Sequence, residues 1–199
     1  MKYKNIKIFM ILIICVLLFA GCKPYYMLDE KGKIERILEK YDSLTNKKNF
    51  EEAFKLTTFI HQPKKKSEGM FKMAQKLLTS QYPEISYKVK DIKINKNIAN
   101  VKVDMILISE MPVRRKTKIE TQLFMYKPEK SIIWFIVSGN FNSRAIFLEK
   151  FSAELKGEFE LLEDKSFIYI DENWIDVKNT KLEKGKLFIL KDEKWIEHK

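Results

Sequence analysis

The sequence predicts an α+β protein: N-terminal helices packed on a curved antiparallel sheet, then a further helix and a small antiparallel β-hairpin extension. Three observations predict it. Apolar residues recur at helical spacing up to about Thr79, and from Ile85 onward they alternate with polar residues. After Gly139 a short pattern occurs twice, as Phe167–Asp176 and as Phe188–Glu197. Helices come first and long strands follow, which is segregation rather than alternation of βαβ units.

The first helix is expected from about Glu30 to Asn46, with Ile34, Ile37, Leu38, Tyr41 and Leu44 on one face. Asn49 with Glu52 three residues on is a capping-box pattern, so a second helix should run from Phe50 to about Phe59. Pro63 stops it. Lys64-Lys65-Lys66 reads as a basic loop. Ser67 reads as the cap of a third helix to about Thr79, with Met70, Phe71, Ala74, Leu77 and Leu78 inward. Four antiparallel strands should follow. The first, from Ile85 to Ile94, needs a twist or bulge to place Ile92 and Ile94 beside Tyr87 and Val89. Asn95-Lys96-Asn97 is turn chemistry. The second strand spans Ile98–Ser109, the third Val113–Tyr126, and the fourth Ser131–Ser138 with its continuous Ile-Ile-Trp-Phe-Ile-Val run. A fourth helix over Ser143–Lys156 ends at Gly157. Each copy of the repeat then reads as strand, acidic turn, and strand opening on Trp-Ile, giving two hairpins.

The N-terminus carries a different message. Lys2, Lys4 and Lys7 precede an apolar run from Ile8 that closes on Leu18-Phe19-Ala20-Gly21-Cys22. A basic start, an apolar core and small residues before a cleavage point describe an export signal. The run is shorter than the about 20 apolar residues that a membrane span requires. Its ending resembles the lipobox of bacterial lipoproteins, although Phe19 stands where most carry an aliphatic residue. The resemblance implies that Cys22 becomes the first mature residue and the lipid-attachment site, through acylation of its thiol. It implies residence in the cell membrane or outer membrane, on the extracytoplasmic side. The organisation expected is therefore a signal peptide over 1–21 and a lipidated tether over 22–28. An α+β domain over 29–140 and a helix-plus-hairpin extension over 141–199 follow.

Both cysteines, Cys15 and Cys22, fall in the leader, so a disulfide framework or a cysteine-based site in the body is excluded. The formal net charge is +11. Nucleic acid is a poor partner for an exported chain, and attraction to anionic lipid or envelope polymers suits the charge better. The six glycines form no phosphate-binding pattern. No metal site, no cofactor and no set of catalytic residues is expected.

Helices followed by long curved strands, with NFEEAF opening the second helix and IIWFIV in the last strand, resemble the nuclear-transport-factor-2-like superfamily. The likeness covers about residues 29–138. It implies a bent sheet wrapped around a helix as a cone with an open mouth. Members often pair through the outer sheet face, but no patch here demands it. Enzymes of that superfamily place an Asp, a Tyr or a His inside the mouth. Asp91, Asp104, Tyr41 and Tyr87 are the candidates that resemblance implies. Asp91 shares parity with Tyr87 and Val89 and is favoured, whereas Asp104 alternates with Val103 and Met105 and should face away. A raised carboxyl pKa in an apolar pocket would suit proton transfer.

The remaining candidates have bland alternatives. His61 lies at a helix end, where the dipole favours a cation, and His198 is penultimate. Arg114, Arg115, Lys116 and Lys118 form the densest positive run and read as solvated edge-strand charge, or as a seat for acidic lipid or polymer. Met70, Met73, Met105 and Met125 read as core filler. Trp174 and Trp195 read as core of a β-meander, or as wall-polymer platforms similar to those of choline-binding repeats, whose Gly-rich pattern is missing. The reading that results is a lipid-anchored envelope protein that binds or assembles, with the membrane as partner through the lipid on Cys22. A second partner would be an envelope protein or an apolar ligand. The alternative is a small-molecule acid/base enzyme using Asp91.

Overall fold

The computed structural model describes residues 24–59, 64–110, 114–138 and 141–198. The expected leader with Cys22, together with His61, Pro63 and Pro112, lies outside the described residues. Among the described residues no helix is long and apolar enough to cross a membrane.

The chain is α+β, with a seven-stranded mixed sheet, several helices and a separate three-stranded antiparallel sheet. Helix α1 spans Glu30–Asn46, as its periodicity demands, and Asp29 caps it by accepting from the Gly32 amide at 2.8 Å. Its buried face is Ile34, Ile37, Leu38 and Tyr41. Helix α2 spans only Phe50–Phe54. Asn49 accepts from the Glu52 amide, but the reciprocal half of the box is absent, because the Glu52 carboxylate pairs with Lys55 instead. The helix stops early because strand β1, Thr57–Thr58, is drawn into the sheet. β1 pairs in parallel with β5, Phe135–Val137, and that pairing makes the sheet mixed rather than antiparallel throughout.

Helix α3 runs Lys64–Gln81, so the lysine triplet opens a helix rather than a loop. Ser67 is buried within it and does not cap it. Its inward arc is Ser67, Phe71 and Thr79, whereas Met70, Met73 and Leu77 are 53%, 75% and 62% exposed. The expected inward face is therefore rotated. Tyr41, Phe54 and Phe59 all meet α3 at Phe71, which fixes the helix on that side.

Strands β2 (Glu84–Asn95), β3 (Ile98–Ser109) and β4 (Arg115–Tyr126) form an antiparallel meander. A register shift between Val89 and Asp91 supplies the expected bulge and returns Ile92 to the apolar face. The turn residue Lys96 has φ 52°. The expected fourth long strand shrinks to β5, because Ile132 and Ile133 lie in an exposed loop and Trp134 is wholly buried. Helix α4 (Phe141–Lys150) and the short α5 (Ser152–Leu155) replace one continuous helix. Lys156 and Gly157, both at positive φ, end them. No strand forms around Phe159 and Leu161; both pack against the second core.

Strand β4 is central. One edge pairs with β3 along its whole length. The other edge is divided: Met125–Tyr126 pairs with β5, and Thr117–Glu120 pairs with β6, Lys165–Ile170. Strand β7, Asn173–Asp176, completes the first hairpin on β6. Residues 165–176 thus extend the sheet begun before residue 140. Strands β8 (Thr180–Glu183), β9 (Lys186–Lys191) and β10 (Lys194–His198) form the small sheet. The two copies of the repeat use the same turn. Asp171 and Glu172 have φ 47° and 63°, and Asp192 and Glu193 have 48° and 62°. Positive φ at both central residues is the type I′ signature that matches strand twist.

Two cores result. The larger joins α1, α2 and α3 to Ala99, Val101, Val103 and Met125 on one sheet face. The smaller joins Phe147 and Leu155 to Ile98, Phe124 and Val137 on the other.

Candidate functional site

The interior that a cone-shaped binding protein would keep open is filled. Tyr41 packs on Phe71 at 6.4 Å between ring centroids and on Tyr87 at 6.1 Å. Gln75 donates to the Tyr41 hydroxyl at 3.1 Å. Burial pushes both phenol pKa values above their ordinary range. Asp42, half-buried on α1 beside β2, is raised by burial, and hydrogen bonds from Asn46 and the Tyr87 backbone only partly offset this.

Of the acid/base candidates, the structure brings Tyr41 and Tyr87 together but not the carboxylates. Asp91 is exposed beside the bulge, on the face away from the helices and opposite Lys102. The bulge breaks the parity that placed Asp91 with Tyr87 and Val89. Asp104 also lies on that face, as expected, but it is buried, 6% exposed, and paired with Lys90 at 3.0 Å. His198 lies 3.5 Å from Asp171. Among the described residues no group of three or more His, Cys, Asp or Glu side chains is placed to hold a metal ion.

Of the basic run, Arg114, Arg115 and Lys116 are exposed, and Lys118 is half-buried in the part of β4 that pairs with both β3 and β6. Lys116 stands over the rings of Tyr169 and Trp174 at 5.4 and 5.6 Å. Lys118 stands over Phe167 and Trp174 at 4.3 and 5.5 Å. In the small sheet Lys181 stands over Trp195 at 4.9 Å and Phe188 at 5.2 Å. Both tryptophans are therefore engaged by the chain's own cations, in the same way in each copy of the repeat.

An apolar groove lies elsewhere. It has a volume of about 650 Å³ and runs along α1 beside the turn at Tyr25–Met27. Ile37 and Leu44, seven residues apart and so on one helical stripe, form its floor with Leu56. Tyr25 and Ile133, the latter from the β4–β5 loop, wall it, and Arg36, Glu39 and Lys40 rim it. Beyond the rim stand the exposed apolar side chains of Tyr26, Met27 and Ile132.

One buried ring holds this groove in shape. The Trp134 indole nitrogen donates to Glu30 Oε2 at 2.8 Å, and Lys127 reaches the same oxygen at 2.7 Å. Lys33 holds the other oxygen at 2.7 Å. Burial opposes ionisation of Glu30, but the three donors outweigh it and hold the carboxyl at about 2. Beside the fixed Trp134, Ile133 reaches the α1 groove and Ile132 stands exposed. Burial raises the pKa of Tyr25, and the Trp134 backbone and Lys33 only partly offset this.

The sequence placed Ile37 and Leu44 in the core, Tyr25 in a tether and Ile133 in a strand. The one available signal was the unalternating Ile132-Ile133-Trp134 run after the turn at Pro128-Glu129-Lys130, too apolar for a strand with one wet face.

No protein-family model, no curated protein and no solved structure matches the chain.

Proposed function

We propose that the chain is a lipid-anchored cell-envelope protein acting as a binding or assembly module. Its α+β body is a cone-like domain similar to the nuclear-transport-factor-2-like superfamily, with the cone closed by its own side chains. The observation that carries the reading is the apolar groove beginning at Tyr25, three residues after Cys22. A lipid on Cys22 would keep that groove beside the bilayer, since so few residues reach only about 10 Å when extended. The mouth's contents, Tyr41 packed on Phe71 and Tyr87, favour association over turnover. The occupant proposed is an apolar segment of an envelope protein, seated on Ile37, Leu44 and Leu56 with its polar flank on Arg36 and Glu39.

Two measurements test the reading. The mass of the cellular protein should correspond to a chain starting at Cys22 and carrying acyl groups, and Cys22→Ser should abolish palmitate incorporation. A full-length, unacylated chain would overturn the anchor. A photo-crosslinking residue placed at Ile133 in cells should capture one defined envelope protein, and Leu44→Lys should remove that product. A product indifferent to Leu44→Lys, or a crosslink to lipid alone, would overturn the protein-segment occupant.

A further inference from the structure

Helix α3 leaves its outer face without a partner among the described residues. The side that docks is marked by Ser67, Phe71 and Thr79, all buried. On the far side stand Met70, Met73 and Leu77, all exposed. They are spaced three and four residues apart and so form one stripe. Large apolar side chains in line on one exposed face make a patch, not the scattered surface residues of any soluble domain.

The charge around that stripe has one sign. From Gly69 to Gln81 the helix holds Lys72 and Lys76 and no acidic residue. Its one carboxylate is Glu68, tied to Lys72 at 2.7 Å. Lys64, Lys65 and Lys66 open the helix, so its sequence carries five lysines against a single glutamate. Lys76 is exposed on the flank of the stripe, and the other exposed residues there, Ala74, Ser80 and Gln81, are small or uncharged.

Area and charge decide what covers such a face. A stable protein interface takes about 800 Å² from each partner, and three side chains flanked by lysine offer far less. A second copy is also opposed by charge, since two α3 faces brought together set lysine against lysine. A lipid surface sets no minimum area for a chain already held beside it, because the second contact is then intramolecular. Anionic headgroups complement the lysines, whose long stems let the ammonium reach phosphate while the apolar side chains sit lower.

We propose that α3 is a peripheral membrane contact that lies along an anionic phospholipid surface. Met70, Met73 and Leu77 sit at the boundary between headgroups and acyl chains, and Lys76 sits at the phosphates. This rests on the membrane placement proposed above and adds a second point of contact to it. A body held by its N-terminus alone is free to turn; a second contact fixes which side looks at the bilayer.

The test places a photo-crosslinking residue at Met73 of the full chain. The chain is reconstituted in vesicles of phosphatidylcholine alone, or of phosphatidylcholine mixed with phosphatidylglycerol. The apolar run over residues 8–21 keeps the chain on either vesicle whether or not Cys22 is acylated, so failure here is distinct from failure of the lipid anchor. Lipid adducts at residue 73 should form at least about fivefold more in the mixed vesicles. Lys76→Glu should bring the yield down to that in phosphatidylcholine, and Leu77→Ser should lower it about threefold. Both positions are exposed, so the fold should survive, which a circular dichroism spectrum checks. Equal yields in the two vesicles, a yield indifferent to Lys76→Glu and Leu77→Ser, or an adduct to a second copy of the chain in place of lipid would each overturn the proposal.

Discussion

On the face that carries α1 and α3, strand β3 presents Ala99, Val101, Val103 and Leu107, all buried. On the opposite face the same strand presents Ile98, Asn100, Lys102 and Asp104. One strand thus builds an apolar core on one side. On the other it builds a small core that gives way, within two residues, to a polar cavity. The difference comes from what covers each face. Three helices bring a nearly continuous set of rings and aliphatic side chains to the first. Helices α4 and α5 reach only the Ile98–Phe124 end of the second, and the rest is roofed by backbone held through Gln122 and Arg144. Such a roof is held by hydrogen bonds rather than by filled volume, so it can leave space beneath it. The first face supplies stability, and the second holds the cavity.

The comparison predicts unequal costs of mutation, and urea denaturation of the full chain in micelles measures them. The largest effect should come from Trp134→Ala on the helix-covered side, where a wholly buried ring and its bond to Glu30 disappear together. We expect a loss of about 3–5 kcal/mol. A loss under about 1 kcal/mol would show that this face is not the stabilising one. Next is Arg144→Met, which removes the residue filling the gap on β4 and leaves Asp164 with Thr121 but without its charged partner. A loss of about 1.5–3 kcal/mol is expected. Burial tends to raise the Asp164 carboxyl, but Arg144 and Thr121 bring it below its ordinary value. The stability this adds is therefore present at neutral pH and lost in acid, and in Arg144→Met the acid-dependent part should shrink.

Asn46→Ala should cost about 1–2 kcal/mol. Its side chain bonds both the amide and the carbonyl of Ile85, at 3.1 and 2.7 Å, and ties the end of α1 to the start of β2. Glu30→Gln should be smaller, because the carboxyl is partly exposed, but its pH dependence is specific. The folded carboxyl titrates at about 2, below its ordinary 4.5. Its contribution is therefore complete above the ordinary value and disappears as pH falls through about 2. Wild type and Glu30→Gln should differ at pH 7 and converge near pH 2; a constant difference would contradict the assignment. The smallest effect belongs to Met73→Ser on the open face of α3, within about 0.5 kcal/mol. A larger loss would show that something covers that face.

Much of the architecture was legible. The bounds of α1, the three long strands, the bulge before Ile92 and the two matched hairpins all follow from local signals. Those signals were apolar spacing, alternation with one slip in parity, and acidic turns bracketed by strands. The site was less legible for a reason that Asp91 and Asp104 make plain. Alternation says which side chains share a face, but it does not say what will cover that face. Asp104 is buried because residues distant in sequence roof it, and Asp91 is exposed because a bulge turns it aside. The two also differ in position along the strand relative to that roof. Likewise Met70, Met73 and Leu77 have the spacing of a core face and become surface, because α3 docks through Phe71.

The sequence by itself determined the bounds of α1, the order of the three long strands and the hairpin turns, since each depends on residues within a few positions of one another. Tertiary structure alone decided three things: the parallel pairing of β1 with β5, the joining of β6 to the half-empty edge of β4, and the two cavities. Those depend on which distant surfaces meet, and the geometry of that meeting is set by volume and by hydrogen-bond partners far apart in the chain.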